Sequence, residues 1–236
     1  MINIHKYENL GHASHGWLDA RHHFSFANYY NPEKMGLGTL RVINDDVIKA
    51  GTGFATHSHK DMEIITYIRQ GAITHKDSQD NEGRTEAGDI QVMSAGSGIF
   101  HSEYNLEDID TNIYQIWIEP NKKGLKPRWE QRKFPNKIKS EALELLVSGK
   151  QEDKNRGALF INQNASIYGG RLKNGINYKQ TIVNQAYLLV SDGLITVDGK
   201  KMKKGDGASI TDADYITIST LSESEIILID IPNKEY

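Results

Sequence analysis

Short β-rich runs, each cut off by Gly, Asn or Asp, recur along the whole chain. "LGTLRVINDDVI", "EIITYIRQGAITH", "DIQVMSAGSG" and "NIYQIWIEP" are typical. Branched and aromatic residues favour the pleated backbone, and the turn residues close each run before a helix can form. This rhythm predicts an all-β sandwich or barrel with little helix. One helical exception is predicted, "KSEALELLVSG", in which Ala142, Leu143, Leu145, Leu146 and Val147 form one apolar stripe between a Ser140 N-cap and Gly149. The 236 residues suffice for one large domain or two small ones, and 38% hydrophobic residues supply a core.

Two of the runs carry histidines at a spacing that matters. In "GTGFATHSHKDMEIITYIRQG" (51–71), His57 and His59 lie one residue apart, and in "GIFHSEYN" (98–105) His101 and Glu103 do the same. Side chains at i and i+2 of a strand share a face. If both strands face one interior, three imidazoles and one carboxylate converge, a donor set suited to a divalent first-row metal. Such a set leaves one or two coordination positions for water, dioxygen or substrate. All nine histidines fall within the first 101 residues, so this chemistry belongs to the first half alone.

An internal echo suggests two related halves. "TYIRQGAIT" (66–74) overlays "LLVSDGLIT" (188–196), and "EAGDIQV" (86–92) overlays "KKGDGAS" (203–209). Counting from the shared glycines puts Lys179 and Thr181 where the first half has His57 and His59. The same count puts Ile218 and Thr220 where it has His101 and Glu103, so the second half keeps no ligands. Residues 1–120 are read as a metal-binding unit, 121–140 as a connection and 141–236 as a metal-free unit. The stretch "PNKKGLKPRWEQRKFPNK" (120–137), with three of the five prolines, marks the connection.

Other features exclude functions. There is no cysteine, which removes disulfides, thiolate metal sites and cysteine nucleophiles. A net charge of −3 gives no general attraction to nucleic acid or anionic membranes. No signal-peptide pattern or membrane-length apolar run occurs, so a cytoplasmic location is expected. Gly96 and Gly98 lack the lysine and serine of a phosphate loop and are read as turn residues. His22 would share a strand face with Phe24 and Phe26, and His23 with Ser25 and Ala27. Both are read as structural or surface residues, and His75 as a satisfied structural one. Met93 and Phe100 are read as core packing. His5, His12 and His15 carry no signal.

The order Gly51, His57-Ser58-His59, Glu63, Gly71, followed by Gly88 through His101 to Asn105, resembles the two cupin motifs, with Ser94 at an expected proline. More narrowly, "HSHKDMEIITYIRQGAITHKDS", "GDIQVMSAGSGIFHSE" and "RHHFSFANYYNP" are similar to the pirin family of bicupins. The resemblance implies two face-to-face cupin barrels of double-stranded β-helix (jelly-roll) type. It implies one mononuclear site held by His57, His59, His101 and Glu103. Glu63, the carboxylate ligand of the wider cupin pattern, stands as an alternative to Glu103. Iron is the expected metal, with manganese, nickel, cobalt, copper and zinc as alternatives.

The activity implied is that of a quercetin 2,3-dioxygenase. Glu103 or Glu63 would accept the flavonol 3-hydroxyl proton, and dioxygen would open the ring with loss of carbon monoxide. The partners are then a small aromatic molecule and dioxygen. Two alternatives stand beside it: a metal-dependent, redox-sensing regulator that binds a protein partner, and a cupin enzyme for another small substrate. A monomer is expected.

Overall fold

The computed structural model describes residues 1–133 and 139–234. In the first half the strands are β1 (Ile2–His5), β2 (Gly11–Ser14), β3 (Leu18–His22), β4 (Leu40–Ile48), β5 (Gly53–His59) and β6 (Glu63–Gln70). They continue with β7 (Ala72–Asp77), β8 (Glu82–Glu86), β9 (Ile90–Ser94), β10 (Ile99–Tyr104), β11 (Thr111–Ile118) and β12 (Arg128–Arg132). The second half holds β13 (Lys139–Ser140), β14 (Glu144–Ser148), β15 (Leu159–Phe160), β16 (Ser166–Leu172), β17 (Asn177–Thr181) and β18 (Gln185–Asp192). It ends with β19 (Leu194–Val197), β20 (Lys200–Lys203), β21 (Gly207–Ile210), β22 (Tyr215–Thr220) and β23 (Ser224–Ile231).

A seven-stranded sheet, β12-β9-β6-β11-β4-β3-β2, is closed into a barrel by a four-stranded sheet, β5-β10-β7-β8. The second half repeats this plan with an eight-stranded sheet, β1-β21-β18-β23-β16-β14-β15 plus β13 beside β16, and a four-stranded sheet, β17-β22-β19-β20. Every strand of the second small sheet stands twelve places after its counterpart, and so do the central strands of the large sheets. The echo in the sequence is therefore a topological repeat. Gly71 and Gly193, the aligned turn glycines, both have positive φ, at 73° and 90°.

The two large sheets pack face to face. Alternate residues of each point into this seam, among them Ile43, Ile65, Tyr114 and Ile116 from the first and Tyr187, Leu189, Ile227 and Ile229 from the second. Each also has an outward set that faces its own small sheet. In the second barrel that interior is filled with Leu188, Val190, Ile195, Ile218, Ile226 and Leu228.

Three expectations need correction. The predicted helix is strand: β14 pairs with β16, and a register shift between Leu145 and Val147 buries Leu146 and Val147 together. That bulge breaks the strand alternation and produces a helix-like apolar spacing. The stretch 120–137 is more than a connection, because β12 pairs with β9 as an edge of the first large sheet. Residues 134–137 of it lie outside the described residues. The N-terminal strand β1 also crosses over, pairing with β21 of the second half. Among the described residues, no helix is long and apolar enough to cross a membrane.

Candidate metal centre and cavity

The histidine pair at 57 and 59 sits on β5, and its partner strand β10 brings His101 directly opposite His57. The pairing then slips: Glu103 lies opposite Phe54, so β5 carries an extra residue at Ala55–Thr56. Both bulge residues are exposed, while Phe54, His57 and His59 turn inward. The bulge also sets a ring. His57 Nδ1 lies 2.8 Å from the Ala55 carbonyl oxygen, the geometry of a donated N–H that leaves Nε2 free to face the interior.

The three rings close on one another, with centroids 4.4 Å apart for His57 and His101, 4.8 Å for His57 and His59, and 5.0 Å for His59 and His101. One nitrogen from each lies within 4.8 Å of the others. Burial, reinforced by His101 and His57, lowers the His59 pKa to about 4; burial, reinforced by His57 and His75, lowers that of His101 to about 3. Both imidazoles are thus neutral near pH 7, the form that donates a lone pair to a metal. Neither ring nitrogen of His101 has a hydrogen-bond partner, although both are buried. Buried polar atoms left unpaired are costly, and a metal would satisfy the nitrogen that carries the lone pair.

Glu103 is fully buried and gripped from the sheet opposite. Thr66 Oγ1 and Gln91 Nε2 donate to Oε1 at 3.1 and 2.7 Å, and Gln115 Nε2 donates to Oε2 at 2.9 Å. These donors are in register: His22 pairs with Asn44, Asn44 with Gln115, Gln115 with Thr66, and Thr66 with Gln91. One polar row therefore crosses the barrel floor on five strands. A nitrogen-rich cluster with one anchored carboxylate suits a divalent transition metal.

Glu63 is not brought to this cluster. On β6 it shares parity with Ile65 and Tyr67, which face the seam, whereas Thr66 faces the interior. It accepts hydrogen bonds from Ser94 Oγ at 2.7 Å and Asn162 Nδ2 at 3.1 Å, tying the two halves together. Burial raises its pKa against those bonds.

The cluster opens into a cavity of about 630 Å³ walled by Trp17, Phe26, Tyr29, Phe54, Ile64 and Trp117. Trp117 stands edge-on to His59 at 4.9 Å and to Phe26 at 5.5 Å. A second polar patch lines the same space. His22 Nδ1 and Asn44 Oδ1 are 2.8 Å apart, and Asp46 has a buried, unpartnered Oδ1. Burial, then the neighbouring Asp45, pushes the Asp46 pKa well above the carboxylate range.

The expectation for His22 and His23 thus divides. β3 ends at His22, so the alternation does not run on: His22 and Phe26 line the cavity, while Phe24 enters the seam core. His23 is buried and bonds to Tyr187 OH at 2.9 Å. Met93 packs with Ile64 and Ile99 as expected, but Phe100 is 58% exposed and packs in no core. His75 Nε2 lies 3.0 Å from Asp77 Oδ2, yet its Nδ1 is buried without a partner. Asn44, Asp46, Thr66, Gln91 and Gln115 join the site without any motif in the sequence to mark them. A partial signal exists: Thr66, Gln91 and Gln115 are polar residues flanked by apolar ones, and Asn44 and Asp46 belong to a polar run inside β4.

Among the described residues, interior positions of the second barrel hold no comparable set. Opposite Ile218 stands Tyr178, and opposite Ile216 stands Gln180, so the inward pair lies one residue before the expected Lys179 and Thr181. Thr220, at the place of Glu103, pairs with Ile195.

Residues 3–118 match the Pirin family and residues 145–231 the quercetinase C-terminal cupin domain. A pirin-like protein of Caulobacter vibrioides is 49% identical over 98% of this chain and 99% of its own. This chain belongs to the pirin family. The quercetin 2,3-dioxygenase of Escherichia coli K12 is 44% identical over 98% of this chain and 99% of its own. The bacterial pirin YhhW of Escherichia coli, solved in complex with nickel(II), superposes with a TM-score of 0.92. It is 43% identical and covers 99% of this chain and 100% of its own. The two-barrel fold of this pirin is thus shared end to end.

Proposed function

We propose that this pirin is a metal-dependent dioxygenase that opens a flavonol-type ring with dioxygen and releases carbon monoxide. In this reading residues 1–120 form the metal-binding half, 121–140 lead across to the second half while lending β12 to the first sheet, and 141–236 form a half without ligands. His57, His59 and His101, whose ligand atoms already cluster, would hold one divalent ion together with Glu103, which clusters with His101; iron is expected, and nickel is what the YhhW complex contains. Bound there, the metal would supply positive charge that favours the ionised form of the substrate hydroxyl.

The observation that carries the reading is the junction of the three-imidazole cluster with a large aromatic-walled cavity. A regulator that senses redox state through its surface needs no such chamber. Phe26, Phe54 and Trp117 offer faces and edges for planar rings. His22, Asn44 and Asp46 offer hydrogen bonds to hydroxyl groups on the substrate. Glu103, held by Gln91, Thr66 and Gln115, accepts the proton that leaves the 3-hydroxyl. Glu63, tied into the seam, takes no part. The balance is one dioxygen consumed for each carbon monoxide released.

The test is oxygen uptake and carbon monoxide release with quercetin on protein loaded in turn with iron, nickel, manganese, cobalt, copper and zinc. Metal-dependent turnover, with near-complete loss in His59→Ala, is the expected result. No uptake in any metal form would overturn the reading and favour another substrate or a regulatory role.

A further inference from the structure

His75 sits on β7 directly across from Glu103, and Asp77 directly across from His101. The His75 ring is 5.3 Å from that of His101 and is stacked on Trp129 at 4.9 Å with an interplanar angle of 8°. Ligand-type atoms of His75, His101 and Glu103 all lie within 4.8 Å of one another. Behind His75, Asp77 is saturated with donors. Its Oδ1 accepts from the Gln79 and Asn81 backbone N–H groups, and both its oxygens accept from Asn81 Nδ2. A carboxylate so surrounded acts as an acceptor, so His75 Nε2 carries the proton in its 3.0 Å contact with Asp77 Oδ2. In the neutral ring His75 Nδ1 is then a bare lone pair, buried and unpartnered, and the adjacent His101 ring, 5.3 Å away between centroids, has two nitrogens that are also buried and unpartnered.

We propose that the His75–Asp77 pair is the outer-sphere partner of His101. It takes an N–H from the rear nitrogen of His101, fixes that tautomer, and aims the other nitrogen at the metal. The inference rests on the metal centre proposed above. A ligating imidazole needs its second nitrogen satisfied, and a carboxylate-backed acceptor both orients the ring and strengthens it as a ligand. His57 obtains this from the bulge carbonyl of Ala55, on its own strand. For His101 the acceptor comes from the neighbouring strand. His75 is a positioning residue here, acting through His101.

The test strips the full-length protein of metal and titrates it with cobalt(II) against a chelator, following affinity and the cobalt absorption bands. His75→Phe keeps a ring against Trp129 but removes the acceptor. Asp77→Asn is nearly isosteric and turns an N–H towards His75 Nε2, which reverses the His75 tautomer and leaves no acceptor for His101. Each is expected to weaken cobalt binding by about 10- to 100-fold and to shift the absorption bands. The metal-free melting temperature of Asp77→Asn should stay near that of the parent, which a merely structural role would not give. The double variant should bind no more weakly than His75→Phe alone, since the two residues act as one chain.

Parent-like affinity and bands in both variants would overturn the proposal. So would loss of cobalt in His75→Phe as complete as in His101→Ala beside an unaffected Asp77→Asn, which would make His75 itself a ligand. A parent protein that takes up no cobalt would instead overturn the metal centre and this inference with it.

Discussion

Two buried carboxyl groups on the floor of the first barrel meet opposite fates. Glu103 accepts hydrogen bonds from Gln91, Thr66 and Gln115, so both its oxygens are partnered. Asp46 lines the same cavity with an unpartnered oxygen, and burial raises its pKa well above the usual range. The folded state therefore binds the Asp46 proton more tightly than the unfolded chain does. Stability from this residue is present at low pH and falls as pH rises from about 4, the unfolded value, towards the raised folded value. Asp46→Asn removes that decline. Thermal melts from pH 5 to 8 should show the variant gaining on the parent as pH rises; a constant difference would mean Asp46 ionises normally. Of these residues the sequence made the four ligand candidates legible, through i, i+2 spacing. It showed the row only as scattered polar residues along separate strands, because the convergence of Thr66, Gln91 and Gln115 on Glu103 depends on register between strands.

At the scale of elements, the site depends on how closely β5 and β10 approach. Gly53 lies where a Cβ would run into the Glu103 carbonyl and the Tyr104 Cα, so the pair closes only over a glycine. Gly53→Ala should cost about 1–3 kcal/mol through overpacking. It should also weaken metal binding, because lifting β5 displaces His57 and His59 from His101. Melting of the metal-free protein together with chelator competition checks both parts; parent values in each would mean that the bulge absorbs the methyl group. The bulge itself was invisible in "GFATHSH", since an added residue changes pairing without leaving a mark on composition. Another bulge, in β14, gives strand residues a helical spacing, which is why the helix expected there is strand.

Over the whole molecule the seam between the large sheets is the common core. Phe24, Tyr67 and Tyr114 of the first half meet Tyr187, Leu189 and Ile229 of the second. Polar ties cross the same boundary, with Tyr67 OH donating to Glu225 at 3.1 Å and Asn162 to Glu63. The halves should therefore unfold together. All three tryptophans lie in the first half, so their fluorescence reports that barrel alone, while circular dichroism reports both. Ile229→Ala, far from every tryptophan in sequence, should cost about 2–5 kcal/mol and shift both melts equally. A fluorescence melt left in place would show independent barrels. The sequence by itself determined the β class, the repeat and the gathering of His57, His59 and His101, with Glu103 beside His101, because strand periodicity is local and a two-residue spacing fixes a shared face. Only the tertiary structure decided that Glu63 faces the seam, that β1 and β12 join sheets distant in sequence, and that His75 stands behind His101. Those outcomes follow from pairing register and sheet packing, which are set by contacts between segments far apart in the chain.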